Sequence, residues 1–153
     1  MGVPGIDEER VGRFLRDNVP GAHGPFLYER IAGGRSNLTF RVRDGERSFV
    51  LRRPPLGHVL PTAHDMAREH RVLSALAKTD VPVPRPLALC EDPQVNDSIF
   101  YVMEDRPGVV LQLGDDGRYA SRPDERRRIG EALADTLAQL HAVEPAAVGL
   151  ADF

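Results

Sequence analysis

FVLRRPPLGHVLPTAHDMAREHRVLSAL, residues 49–76, is the stretch on which the fold turns. Its first part reads as a strand: Val50 and Arg52 fall on one face, Leu51 and Arg53 on the other. Pro54 and Pro55 end it, because neither can donate a ladder hydrogen bond. Thr62, followed three residues on by Asp65, has the form of a capping box and predicts a helix from there to about Lys78. On that helix Met66, Leu73 and Leu76 form an apolar stripe that must face a sheet, with Val72 near its edge. Glu69 follows Met66 by three positions and precedes Leu73 by four, so it lies inside the stripe. A carboxylate facing a core needs a cation or hydrogen-bond donors, since a broken buried pair costs about 3–5 kcal/mol. The nearest cations are Arg52 and Arg53, and one of them is expected to pair with Glu69. A rotated helix that leaves Glu69 in water is the competing arrangement.

Outward from this stretch, FLYERIA (26–32) is strand-like and runs into Gly33-Gly34-Arg35-Ser36-Asn37. LTFRVRD (38–44) then alternates Leu38, Phe40 and Val42 against Thr39, Arg41 and Arg43. Asp44-Gly45 is the expected two-residue hairpin turn. Asp7 to Val19 reads as an amphipathic helix with an acidic cap, stopped by Pro20 and Gly21. Downstream, VPVPRP is stiff and extended, and LALCED and IFYVMED are two further strands around a turn with Pro93, Asn96 and Asp97. Residues 107–121 read as a loop. Ser121, Pro123 and Asp124 open a long helix with Ile129, Ala132, Leu133, Thr136, Leu137 and Leu140 on one face, and Pro145 ends it.

Composition bounds the function. The chain has 153 residues, 41% hydrophobic and 28% charged, with a formal charge of −3, which fits a water-soluble globular domain and offers no basic field for nucleic acid or anionic lipid. The single cysteine, Cys90, excludes an intrachain disulfide and falls in a strand as a small apolar residue. With no span-length apolar run and no signal pattern, a cytoplasmic location is expected. Lys78 is the only lysine. His58, His64 and His70 share no ligand face, so no metal site is assigned. His141 suits a cation near a helix C-terminus. The Arg126–Arg128 run lies near a helix N-terminus, where water or neighbouring carboxylates must compensate it.

In order and spacing, the segments AGGRSNLTFRV, FVLRRPP, AREHRVLSAL, VPVPRPLALCED, FYVMEDRPG and LADTLAQLHAVEPAAVGLADF resemble the small lobe of the aminoglycoside phosphotransferase-like family, which has a protein-kinase-like fold. The resemblance is nearest to the subgroup related to kinases fused to acyl-CoA dehydrogenases. It implies an α+β fold: a kinase-like small lobe with a five-stranded antiparallel sheet and one packed helix, plus an N-terminal helix and a C-terminal helix belonging to the start of the large lobe. Residues 1–106 would be the nucleotide-binding lobe, with the N-terminal helix at 7–19. Residues 107–153 would be a linker and the first helix of a truncated large lobe. By the same resemblance Gly33, Gly34, Ser36 and Asn37 lie over the phosphates of ATP, with GTP as the alternative nucleotide. Arg52 takes the place of the usual lysine, bridging phosphates and Glu69. Met103 backs the adenine pocket, Val50 packs on the ring, and the Glu104 carbonyl and Arg106 N–H meet the purine edge.

The sequence departs from that pattern in three ways. The glycine loop is incomplete, arginine replaces lysine, and no H-G-D-type catalytic loop or later metal-binding aspartate is present. Asp152-Phe153 does not stand in for D-F-G, having no catalytic loop before it. The expectation is therefore the ATP-binding lobe of a small-molecule kinase that moves the γ-phosphate to a hydroxyl acceptor, inactive by itself, with magnesium bound only once a large lobe is present. The partners expected are a nucleotide and a small hydroxylated acceptor, with no nucleic acid and no membrane. A homodimer through the exposed C-terminal helix would cover its leucines. A non-catalytic α+β interaction module and a pseudokinase lobe are the alternatives.

Overall fold

The computed structural model describes residues 2–31, 36–57, 64–109 and 120–153. Gly33, Gly34 and Thr62 therefore lie outside the described residues. The element order is α1 (Glu8–Asn18), β1 (Phe26–Arg30), β2 (Leu38–Asp44), β3 (Arg47–Arg53), α2 (Met66–Leu76), β4 (Pro86–Cys90), β5 (Phe100–Glu104), α3 (Pro123–His141) and a short 3-10 turn at Pro145–Val148. The chain divides into two units, Met1–Ser74 with Pro84–Asp105 and Ala75–Val83 with Arg106–Phe153.

The first unit is built on one antiparallel sheet in the order β1-β2-β3-β5-β4. Register sorts its side chains into two faces. Phe40 pairs with Leu51, Val42 with Phe49, and Leu51 with Val102, and these apolar residues join Cys90 and Phe100 in the buried core. α1 covers that face. Its Val11 and Leu15 are fully buried, and Phe14 meets Phe100 edge-on with ring centroids 5.2 Å apart. Asp7 caps the helix as expected, accepting from the Arg10 N–H at 2.9 Å. The N-terminal helix is thus part of the main core and is not an appendage to it, because a half-polar sheet must bury its apolar face on something.

The opposite face carries Thr39, Arg41, Val50, Arg52, Tyr101 and Met103 by the same register. α2 contributes Met66 and Leu76 as buried residues, while Leu73, expected in the same stripe, is half-buried. The helix begins at Met66, and Asp65 is itself the cap, its Oδ1 accepting from the Arg68 N–H at 2.8 Å.

The hairpin turn is displaced by one residue from the expected position. Asp44 still pairs with Arg47, so the two-residue loop is Gly45-Glu46, with Gly45 at φ +61°. Glycine at the first central position meets the positive φ that a side chain resists. Asp44 accepts instead from the His23 and Gly24 N–H groups, each at 2.9 Å, which fixes the approach to β1.

In the second unit α3 starts at Pro123, one residue after the Arg122 cap, whose N–H donates to Glu125 Oε2 at 3.1 Å. Carboxylates compensate its arginines: Glu125 lies 3.1 Å from Arg122, Glu131 3.6 Å from Arg127, and Asp124 3.8 Å from Arg128. No described residue of α3 is buried. Among the described residues, no helix is long and apolar enough to cross a membrane.

Candidate functional site

Glu69 is the centre of a polar cluster on the sheet face turned toward α2. Of the two candidate cations, Arg52 is the partner, its Nε donating to Glu69 Oε2 at 2.8 Å. Strand alternation sends Arg53 the other way, where it is buried and donates to the carbonyls of Gly5 at 2.6 Å, Asn96 at 3.0 Å and Pro54 at 3.1 Å. Burial pulls the Arg53 pKa down, with Asp97 opposing that shift.

Two further donors meet Glu69. The Tyr101 hydroxyl reaches Oε2 at 3.1 Å, and Asn37 Nδ2 reaches Oε1 at 2.9 Å. Three donors, one of them charged, fix this half-buried carboxylate in orientation. Burial, and then the Glu69 charge beside it, push the Tyr101 phenol well above its ordinary value, so it remains a donor. The solvated arrangement of Glu69 is excluded by these contacts.

Arg52 is held through two of its three guanidinium nitrogens, Nε and Nη1. Nη1 donates to Thr39 Oγ1 at 3.3 Å, while Nη2 has no partner among the described residues. Both Arg52 and Glu69 keep about a third of their side-chain surface exposed, so the pair is open on one side.

Val50 is buried and lies between Arg41 on β2 and Met103 on β5 in the register, so Val50 and Met103 do come together on one sheet face. Beyond them Asp105 accepts from Arg41 Nε and Ser48 Oγ, both at 2.7 Å. Burial raises the Asp105 carboxyl, but these two hydrogen bonds and the Arg41 charge outweigh it and hold the group below its ordinary pKa. Glu104 has its N–H on the Arg85 carbonyl at 2.9 Å. Arg106 belongs to the second unit. Ser36 is described as a bend residue just before β2, whereas Gly33 and Gly34 lie outside the described residues.

Of the expected residues the structure thus joins Asn37, Arg52 and Glu69 in one cluster and Val50 with Met103 in another. Sequence reading missed Tyr101, Thr39, His64 and the Arg41–Asp105–Ser48 group. Tyr101 sits opposite Arg52 only through the β3–β5 register, which no local pattern reveals. A cavity of about 540 Å³ opens elsewhere in the first unit, lined by Arg47, Phe49, Arg85, Leu87 and Glu104 among others, and it includes neither Arg52 nor Glu69. Among the described residues, no group of three or more His, Cys, Asp or Glu side chains is placed to hold a metal ion.

A sheet whose third strand presents a cation to a helix glutamate is the arrangement of a kinase-like small lobe, and comparison with known proteins agrees. The chain belongs to the phosphotransferase enzyme family, whose model matches residues 28–153. It is 35% identical over 150 residues to mouse acyl-CoA dehydrogenase family member 10, covering 97% of this chain and 14% of that protein. Rat acyl-CoA dehydrogenase family member 11 is 38% identical over 149 residues, covering 95% of this chain and 19% of that protein. A crystal structure of a Ralstonia eutropha protein assigned as an aminoglycoside phosphotransferase superposes with a TM-score of 0.77 at 37% identity, covering 96% of this chain and 41% of that one. The chain therefore spans less than a fifth of those two curated relatives. The family resemblance read from the sequence, including its acyl-CoA dehydrogenase-related subgroup, is borne out, as is the α+β small-lobe fold.

Proposed function

We propose that this chain is the nucleotide-binding lobe of a small-molecule kinase, using Arg52 in place of lysine to hold the phosphates of ATP. The observation that carries the reading is the Glu69 cluster. A lysine has a single ammonium nitrogen to divide between glutamate and phosphate. Arg52 gives Nε to Glu69 and keeps Nη2 for a second anion. Thr39 narrows the remaining freedom of the fork and Tyr101 steadies the Glu69 carboxylate that holds it, which lowers the entropy lost when an anion binds. Residue chemistry fits a nucleotide: a fixed cation for the phosphates, and Val50 with Met103 as an apolar surface for the base. GTP is the alternative nucleotide.

In this reading residues 1–106 form the nucleotide lobe, and residues 107–153 open a larger lobe. That larger lobe supplies the catalytic loop, the magnesium ligands and the site for a small hydroxylated acceptor, so residues 1–153 alone do not transfer phosphate. Magnesium, when bound there, would neutralise charge developing on the transferred phosphoryl group. Cytoplasmic residence belongs to the same proposal, supported by the lone cysteine. The exposed face of α3 is proposed to be covered by the larger lobe or, in the 153-residue chain, by a second copy.

Titrating the chain with a non-hydrolysable ATP analogue tests this reading. Backbone amides of residues 33–37 and 104–106 are expected to shift together and to saturate. An unchanged spectrum at both places would return the chain to a plain α+β interaction module.

A further inference from the structure

We infer that Asn37 and His64 are positioning residues for Arg52, acting through Glu69, and that the Asn37 side chain is not a phosphate ligand; this rests on the nucleotide reading above. Asn37 is 6% exposed, and each polar atom of its amide has a partner: Nδ2 donates to Glu69 Oε1 at 2.9 Å, and Oδ1 lies 2.6 Å from His64 Nδ1. The direction of each bond follows from what the groups can do. A carboxylate only accepts, so the nitrogen of Asn37 must face Glu69 and its oxygen must face the imidazole. The amide oxygen also only accepts, so His64 Nδ1 carries the proton.

The chain His64 Nδ1–H to Asn37 Oδ1, and Asn37 Nδ2–H to Glu69 Oε1, runs from the residue before the α2 cap, through the residue before β2, to the helix carboxylate. It occupies the oxygen of Glu69 that Arg52 and Tyr101 do not use. Glu69 is thereby gripped on both oxygens and cannot swing about its side-chain torsions, so Arg52 is presented in one orientation. An imidazole is suited to the last position because the wrong amide rotamer of Asn37 would set two donors, or two acceptors, face to face.

Calorimetric titration of the 153-residue chain with ATP and with adenosine tests the role. Asn37→Ala and His64→Ala are each expected to weaken ATP about 5-fold, the worth of one hydrogen bond, and to leave adenosine within about 2-fold. His64→Asn, whose amide nitrogen stands where Nδ1 stands, is expected to restore ATP affinity. Unchanged ATP affinity in both alanine variants, or an equal loss for adenosine, overturns the positioning role while the nucleotide reading stands. A wild-type chain that binds neither compound removes both. A nitrogen-15 spectrum of the neutral His64 ring in the wild-type chain needs no variant to fold: a proton on Nδ1 supports the relay, and a proton on Nε2 alone overturns it.

Discussion

Adjacent residues with the same side chain, Arg52 and Arg53, have different fates because a strand sends them to opposite faces. Arg53 is sequestered among carbonyls that tie the N-terminal segment to the β4–β5 turn, while Arg52 stays partly open with its charge directed by Glu69. Local pattern alone could say that Glu69 needed a cation; it could not say which arginine, since alternation separates the two faces without showing which one α2 covers. The phenol beside Glu69 makes the cluster sensitive to alkali. Its folded pKa is raised, so its contribution to stability is complete below the ordinary tyrosine value of about 10 and is lost as pH climbs above it. Burial raises Tyr28 in the same direction. An absorbance titration should show both phenols un-ionised until the protein unfolds, and one reversible step near pH 10 for all three tyrosines would contradict this. Asp105 acts with the opposite sign. Its folded pKa is lowered, so its contribution is present above about pH 4 and lost below it. Asp105→Asn should therefore flatten the acid limb of the stability curve measured by thermal melting.

Among the elements, β2 was readable residue by residue, because Leu38, Phe40 and Val42 alternate without interruption and all three are buried. The turn after it was displaced by one residue because Asp44 and Gly45 both favour turns, and only the pairing with Arg47 separates them. The start of α2 was read too early for a similar reason: Asp65 suits either the third helical position or the cap, and it is the cap. The cluster around Glu69 was half legible, since Tyr101 and Asn37 reach it only through strand pairing and a long-range contact. Amphipathic pattern also did not rank the helices, yet their energetic roles differ widely. Leu15 on α1 is fully buried, whereas Leu133 on α3 is 60% exposed. Denaturant unfolding should show Leu15→Ala costing about 2–5 kcal/mol. Leu133→Ala should cost less than about 0.5 kcal/mol in the same assay, run at a concentration low enough to keep the chain monomeric. Comparable losses for the two would mean that α3 is packed as tightly as α1.

At the scale of the whole molecule, the first unit has a closed core between α1 and its sheet, and α3 in the second has none. Ile129, Leu133, Leu137 and Leu140 are all exposed, and each would contribute roughly 1.5–3 kcal/mol if fully buried. A single chain in water is therefore expected to self-associate through this face. Sedimentation equilibrium should give a concentration-dependent dimer that Leu133→Asp with Leu137→Asp converts to monomer; a wild-type monomer at all concentrations would contradict it. The chain spans 41% of its structural relative. The account rests above all on Arg52 meeting phosphate while Glu69 holds it. Calorimetric titration of the wild-type chain and Arg52→Ala with ATP and adenosine measures that contact directly. The prediction is a loss of about 10–100-fold for ATP, the worth of one charged hydrogen bond, with adenosine unchanged. Equal ATP affinity in the two proteins would contradict it.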